Sequence, residues 1–160
     1  LITFVRTNKN KKQVYNIIKT AHSYWAYLVL FSLLLAVINA LIGFLRNKTF
    51  TSKDKKISLF GLITTHIQLV LAMFLYFFSP YYNTMKEIGI GEVMKNSALR
   101  LYCIEHPFAN LTAIILITIG WSKHKTKIID KEKFKSIWLM YLIALVLLLS
   151  RIPYNAWWSF

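Results

Sequence analysis

Four long apolar runs alternate along the chain with short polar connections that are mostly basic. The runs cover about 23–45, 57–78, 101–121 and 136–154. Each approaches or exceeds the roughly 20 residues with which an α-helix crosses ~30 Å of hydrocarbon. Backbone inside a bilayer has to satisfy its own hydrogen bonds, so apolar runs of this length read as helices. The connection 47–56 between the first two runs is short, which makes those spans antiparallel neighbours. The pattern predicts an all-α, integral membrane four-helix bundle, wound up-down-up-down, with both chain ends on one side.

The transmembrane domain, 22–156, is flanked by a basic tail, 1–21, and an aromatic end, 157–160. Val14, Tyr15, Ile17 and Ile18 give the tail enough apolar surface for a short interfacial helix. No small-x-small cleavage site follows the first apolar run, so it reads as a span and not as a leader. Along that span Ser32, Ala36 and Ala40 recur every four residues, a small-residue stripe that lets a neighbouring helix approach closely. The second span stops at Ser79-Pro80. From Glu92 onward Val93, Met94, Ala98, Leu101 and Tyr102 recur at helical spacing, and an amphipathic helix feeding the third span is expected there. That third span is short, because only Pro107 to Ser122 is free of charge and histidine. Counting about 20 residues back from Gly120 starts it near Leu101. The other arrangement starts it at Pro107, a favoured first-turn residue, with a locally thinner bilayer. The deeper start is preferred here. Trp157 and Trp158 read as an aromatic belt.

Charge sharpens the topology. The chain carries Lys+Arg 20 against Asp+Glu 6, a net charge of +14. The basic residues gather in loops and form no continuous face, so no nucleic acid is expected as a partner. The first connection holds Arg46, Lys48, Lys53, Lys55 and Lys56, and the third holds Lys123, Lys125, Lys127, Lys131, Lys133 and Lys135. The long connection between them has Lys86, Lys95 and Arg100. The positive-inside rule puts the two lysine-rich connections in the cytoplasm, although Arg6, Lys9, Lys11, Lys12 and Lys19 of the tail vote the other way.

With that topology His22, Arg100, Glu105, His106 and Arg151 meet at the outer leaflet, where ionisable groups at a span are candidates for function. Two imidazoles at matching depth suit the axial positions of a b-type haem, a cofactor that four-helix bundles hold in their cores. His22 and His106 are that pair. Arg100 and Arg151 would meet the haem propionates, since guanidinium suits carboxylates, and Glu105 would orient its neighbour. His66 lies about 13 Å into the second span, near the midplane, and roughly 15–20 Å along the axis from either partner. Asn39 and Gln68 read as structural polar groups that bond between helices. His124, in a lysine-rich loop, reads as solvated.

The same residues allow other readings. Glu105 and Arg151 can neutralise one another at the bundle end, with His22 and His106 as interfacial anchors. The protein would then be a non-catalytic scaffold or accessory subunit whose polar cluster locks helix packing. Glu105 with histidines is also an acceptable shell for zinc or copper. Proton or small-molecule passage using Glu105 and His66 is weaker, because no second carboxylate lies between them. The single Cys103 excludes an intrachain disulfide and a cysteine-based metal centre. No P-loop, dinucleotide glycine pattern, nucleophile elbow or HExxH occurs.

Several stretches also carry a likeness. His22-Ser23, Thr65-His66-Ile67-Gln68, Leu75-Tyr76-Phe77-Phe78-Ser79-Pro80, Met94-Lys95-Asn96-Ser97 and Glu105-His106 are among them, with Ile119-Gly120 and Arg151-Ile152-Pro153. Over about Ala21 to Tyr154 the chain resembles the small four-helix membrane proteins of Bacteroidota that carry the label "cytochrome b". The resemblance implies a multi-pass protein of the bacterial inner membrane, with the lipid bilayer as its first partner, and the positive-inside rule places both termini in the periplasm. It implies haem b as cofactor, and a quinone or a larger membrane complex as electron-transfer partner. Ala26 and Tyr27 stand where that family often has arginine followed by tryptophan, which removes one further propionate partner.

Overall fold

The structure, a computed structural model, describes residues 2–157, with side chains over 10–155. The side chains of Arg6, Lys9 and Trp157, and all of Trp158, lie outside the described residues.

α1 (Ile2–Leu45) is one helix of 44 residues, about 66 Å long at 1.5 Å per residue. No glycine or proline interrupts the chain before Gly43, so the basic tail winds on into the first span and forms no separate interfacial helix. The extension leans on the next connection: the Tyr15 side chain lies close to Ser79 and Tyr81. At its far end Asn47 takes the left-handed conformation, φ 48°. The Lys48 N–H donates to Gly43 O and the Asn47 N–H to Phe44 O, so the last carbonyls of α1 are satisfied in a Schellman arrangement.

α2 (Ser52–Phe78) begins with a reciprocal cap between Thr51 and Asp54. Asn39 Nδ2 donates to Asp54 Oδ1 at 2.9 Å, which ties that cap to α1 and makes Asn39 the interhelical donor expected of it. Ser79, extended in backbone, closes α2 and caps α3 (Pro80–Ile88), with Pro80 in its first turn. The expected amphipathic helix from Glu92 is broken into shorter pieces. Gly89, at φ +80°, separates α3 from α4 (Ile90–Lys95). The Asn96 side chain then accepts from the N–H groups of Ala98 and Leu99 and starts α5 (Ser97–Arg100). A π-helical turn, Leu101–Glu105, runs from there into α6 (His106–Thr126). The chain is thus already helical at Leu101, ahead of Pro107. α7 (Asp130–Ser150) ends four residues short of Tyr154, the expected limit of the fourth span. Pro153 explains the difference: it has no N–H to donate and drives Ile152 away from helical backbone. A short α8 (Tyr154–Trp157) follows.

Four helical stretches, Asn10–Leu45, Ser52–Phe78, Ser97–Thr126 and Asp130–Ser150, are long and apolar enough to cross a membrane. They run in alternating directions as an all-α four-helix bundle, and the protein is a multi-pass membrane protein. α1 packs on α2 and α7, and α6 packs on α7, whereas α2 and α6 touch only lightly. α1 and α6 therefore stand diagonally. The small stripe of Ser32, Ala36 and Ala40 is buried at 1%, 0% and 1% exposure, among Leu33, Phe134 and Tyr141. The Phe134 ring lies where a side chain on Gly43 would be; a Cβ there would meet it at 2.4 Å. Tyr141 OH crosses to donate to Ser58 O at 3.1 Å.

The two lysine-rich connections close the same end. Phe50, from the first, packs on Phe134 and His124 with ring centres 4.9 and 5.5 Å away. His124 consequently is not solvated. It is 3% exposed, held between Phe50 and Trp121, with Nδ1 bonded to the Trp121 carbonyl.

Candidate functional site

The opposite end of the bundle carries the polar cluster, and its position follows from Pro107. In an α-helix the carbonyl of Cys103 would accept from residue 107, and proline has no N–H to give. The chain answers in two ways. It widens into the π turn, with the His106 N–H reaching back to Leu101 O, and Tyr76 OH donates to the Cys103 carbonyl at 3.2 Å. Tyr81 is stacked on Tyr102 at 4.3 Å between ring centres, and Cys103 Sγ donates to Tyr81 O at 3.4 Å. α3 and the start of α6 are thereby fastened together beside His106. Single-turn π segments recur at functional sites.

His106 Nδ1 lies 2.7 Å from the Arg151 carbonyl. A carbonyl can only accept, so Nδ1 carries the proton and Nε2 is left with a free lone pair. Across the bundle diagonal stands His22. The two imidazole centres are 6.3 Å apart, with planes inclined at 73°. Gln68 of α2 reaches His22 from the side: Nε2 donates to the His22 carbonyl at 3.1 Å and lies 3.2 Å from ring Nδ1 and 3.4 Å from ring Nε2. The other amide atom, Gln68 Oε1, is buried with no hydrogen-bond partner. Gln68 is thus an interhelical polar group, as expected, but its partner is one of the candidate ligands.

Glu105 joins the arginines. Its Oε1 accepts from Arg100 Nε at 2.7 Å and its Oε2 lies 3.5 Å from Arg151 Nε. Arg100 Nη1 also donates to Met94 O at 2.8 Å, and Arg151 Nη1 to Ser150 O at 3.1 Å. Both guanidiniums face one carboxylate at the rim of the bundle. Among the described residues no three of His, Cys, Asp and Glu converge as a metal shell, so Glu105 does not join the histidines as a ligand.

His66 stands apart from the cluster. Its Nδ1 meets the Leu62 carbonyl at 2.8 Å and its Nε2 lies 3.5 Å from Thr118 Oγ1. Thr118 is 12 residues beyond His106 on the same helix, about 18 Å at 1.5 Å per residue. Asn39 is at the opposite end, with Asp54.

A haem fits this arrangement in part. Metal–imidazole bonds of about 2 Å put two axial ring centres about 6 Å apart. The His22–His106 separation meets that, and the Arg151 carbonyl gives His106 the tautomer a ligand needs. The surroundings are already committed: Arg100 and Arg151 share the Glu105 carboxylate, and Gln68 covers the ring nitrogens of His22. Comparison with family models, with curated proteins and with solved structures gives no match, so the geometry of this cluster is the basis for assigning a role.

Proposed function

We propose that this protein is a cytochrome-b-like membrane electron carrier that holds one b-type haem between His22 and His106. The separation of the two imidazoles across the bundle diagonal supports this most directly. Bound there, haem would supply reversible one-electron chemistry, with the protein setting ligands, orientation and dielectric. The chain's own residues have defined tasks. The Arg151 carbonyl fixes the His106 ring and leaves its Nε2 bare. Gln68 holds the His22 backbone and must yield the ring nitrogen it covers. Arg100 and Arg151 would exchange Glu105 for propionates, and Glu105 keeps the two cations together until then. We infer a bacterial inner-membrane orientation with the lysine-rich connections in the cytoplasm and the His22–His106 end near the periplasm. A quinone or a larger membrane complex would be the electron partner. The test is the absorption spectrum of chain purified from a haem-supplied host, in which a Soret band and a reduced α-band are expected.

A second reading is favoured by one observation, the shared carboxylate. Glu105 joins α5 to the end of α7 through Arg100 and Arg151, which is what a lock on helix packing requires. In that case the protein is a scaffold or accessory subunit, and the folded chain gives no haem bands.

A further inference from the structure

α1 packs on α2 and α7 and stands diagonally to α6, so one side of it faces away from the bundle. That side carries a regular series. From Val14, alternating steps of three and four residues land on an apolar or aromatic side chain every time, through Ile17, Ala21 and Phe31 to Leu45. Val14 and Ile17 are 41% and 61% exposed, and Phe31, Ile38 and Leu45 are exposed as well. This spacing is the heptad seam along which two helices wind around one another. Within hydrocarbon an apolar side needs no protein partner, because lipid is as apolar as the side chains. The series does not stop there. Ile17 and Val14 lie about 9 and 14 Å before Ser23, where the first span begins, at 1.5 Å per residue. The headgroup layer is roughly 5–8 Å deep on each side of the bilayer. Both side chains therefore stand in water unless a protein covers them.

A second copy of the chain meets the requirements of this seam. Chains inserted with one topology are parallel, so two α1 helices meet in register across a two-fold axis along the membrane normal. Each seam residue then faces its own counterpart, which demands that no like charges meet there. The positions flanking the seam on either side, from Gln13 to Leu41, are all uncharged. Lys12 and Lys19 fall on the opposite side of the helix. A charged partner would find nothing to pair with along this side. We propose that the protein is a parallel dimer in the membrane, held through the outward side of α1. Val14 and Ile17 pack on the same residues of the second copy, where the helices stand clear of the lipid. The contact does not depend on haem at His22 and His106.

The test uses the full chain, fused to a fluorescent protein and counted by photobleaching steps in phosphatidylcholine liposomes at low protein density. The wild type should bleach in two steps. Val14→Glu combined with Ile17→Glu sets like charges against one another on the seam and should reduce this to one step. Lys12→Glu combined with Lys19→Glu, on the opposite side, should leave two. The contact is then mapped with a short bismaleimide in Cys103→Ser chains that carry one new cysteine each. Val14→Cys, Ile17→Cys and Ala21→Cys should cross-link strongly, and Lys12→Cys, Asn16→Cys and Lys19→Cys weakly. Single-step bleaching of the wild type overturns the proposal, as does bleaching in more than two steps. So do a dimer that survives the paired glutamates, or cross-linking that is strongest from the Lys12 side. The wild-type count requires no variant to fold.

Discussion

The hydroxyl of Tyr76 donates at 3.2 Å to the carbonyl of Cys103, the oxygen that would face a proline nitrogen in a regular helix. A tyrosine on α2 thereby supplies a hydrogen bond that α6 cannot make for itself. Tyr76→Phe should lower stability by about 1 kcal/mol, the worth of one hydrogen bond plus part of the cost of an unsatisfied carbonyl. Pro107→Ala returns an N–H to the helix, so Tyr76→Phe should cost less in that background. Thermal unfolding of the four members of this double-mutant cycle measures the difference.

Glu105 pairs with two arginines, so its loss should cost more than the loss of either one. Its side chain and those of Arg100 and Arg151 are 31%, 35% and 50% exposed, which keeps each pair near the weak end of the range for ion pairs. Glu105→Gln is expected to cost on the order of 1 kcal/mol and each Arg→Gln about half of that. The effect should shrink in high salt, because partly exposed pairs are screened. Melting curves of the three variants at low and high ionic strength measure both effects.

At the lysine-rich end the fit between Gly43 and Phe134 is steric. A Cβ on residue 43 would fall 2.4 Å from the ring, so even Gly43→Ala should destabilise by about 1–3 kcal/mol. Phe134→Leu alone should also destabilise, by leaving space. Combined with Gly43→Ala it should recover part of the loss, again read as a melting temperature.

How far these features can be read from sequence differs with their physical cause. The spans and their alternating direction follow from run length and loop length, and the separation of His66 from His106 follows from helical rise. The absolute rotation of a helix cannot be had that way: the helical turn sets His66 and Gln68 on opposite sides of α2, but nothing in sequence order indicates which of them faces His22. His124 shows the same limit, since its lysine neighbours suggest solvent and its burial depends on Phe50 and Trp121 meeting in three dimensions. The continuity of α1 was concealed by its lysines, which resemble a loose tail yet do nothing to stop a helix. Two proline effects were open to reasoning: the end of α7 before Pro153, and the need for an outside donor to Cys103 opposite Pro107.

The central claim is that His22 and His106, and not His66, form the axial pair of one haem. The most direct measurement titrates haem into the purified full chain and three variants, His22→Ala, His106→Ala and His66→Ala, and records oxidised and reduced spectra. The wild type and His66→Ala should take up one haem with a Soret band and a sharp reduced α-band, and the other two should lose the six-coordinate spectrum. A folded wild-type chain that takes up no haem would contradict the account, as would a spectrum that survives both His22→Ala and His106→Ala.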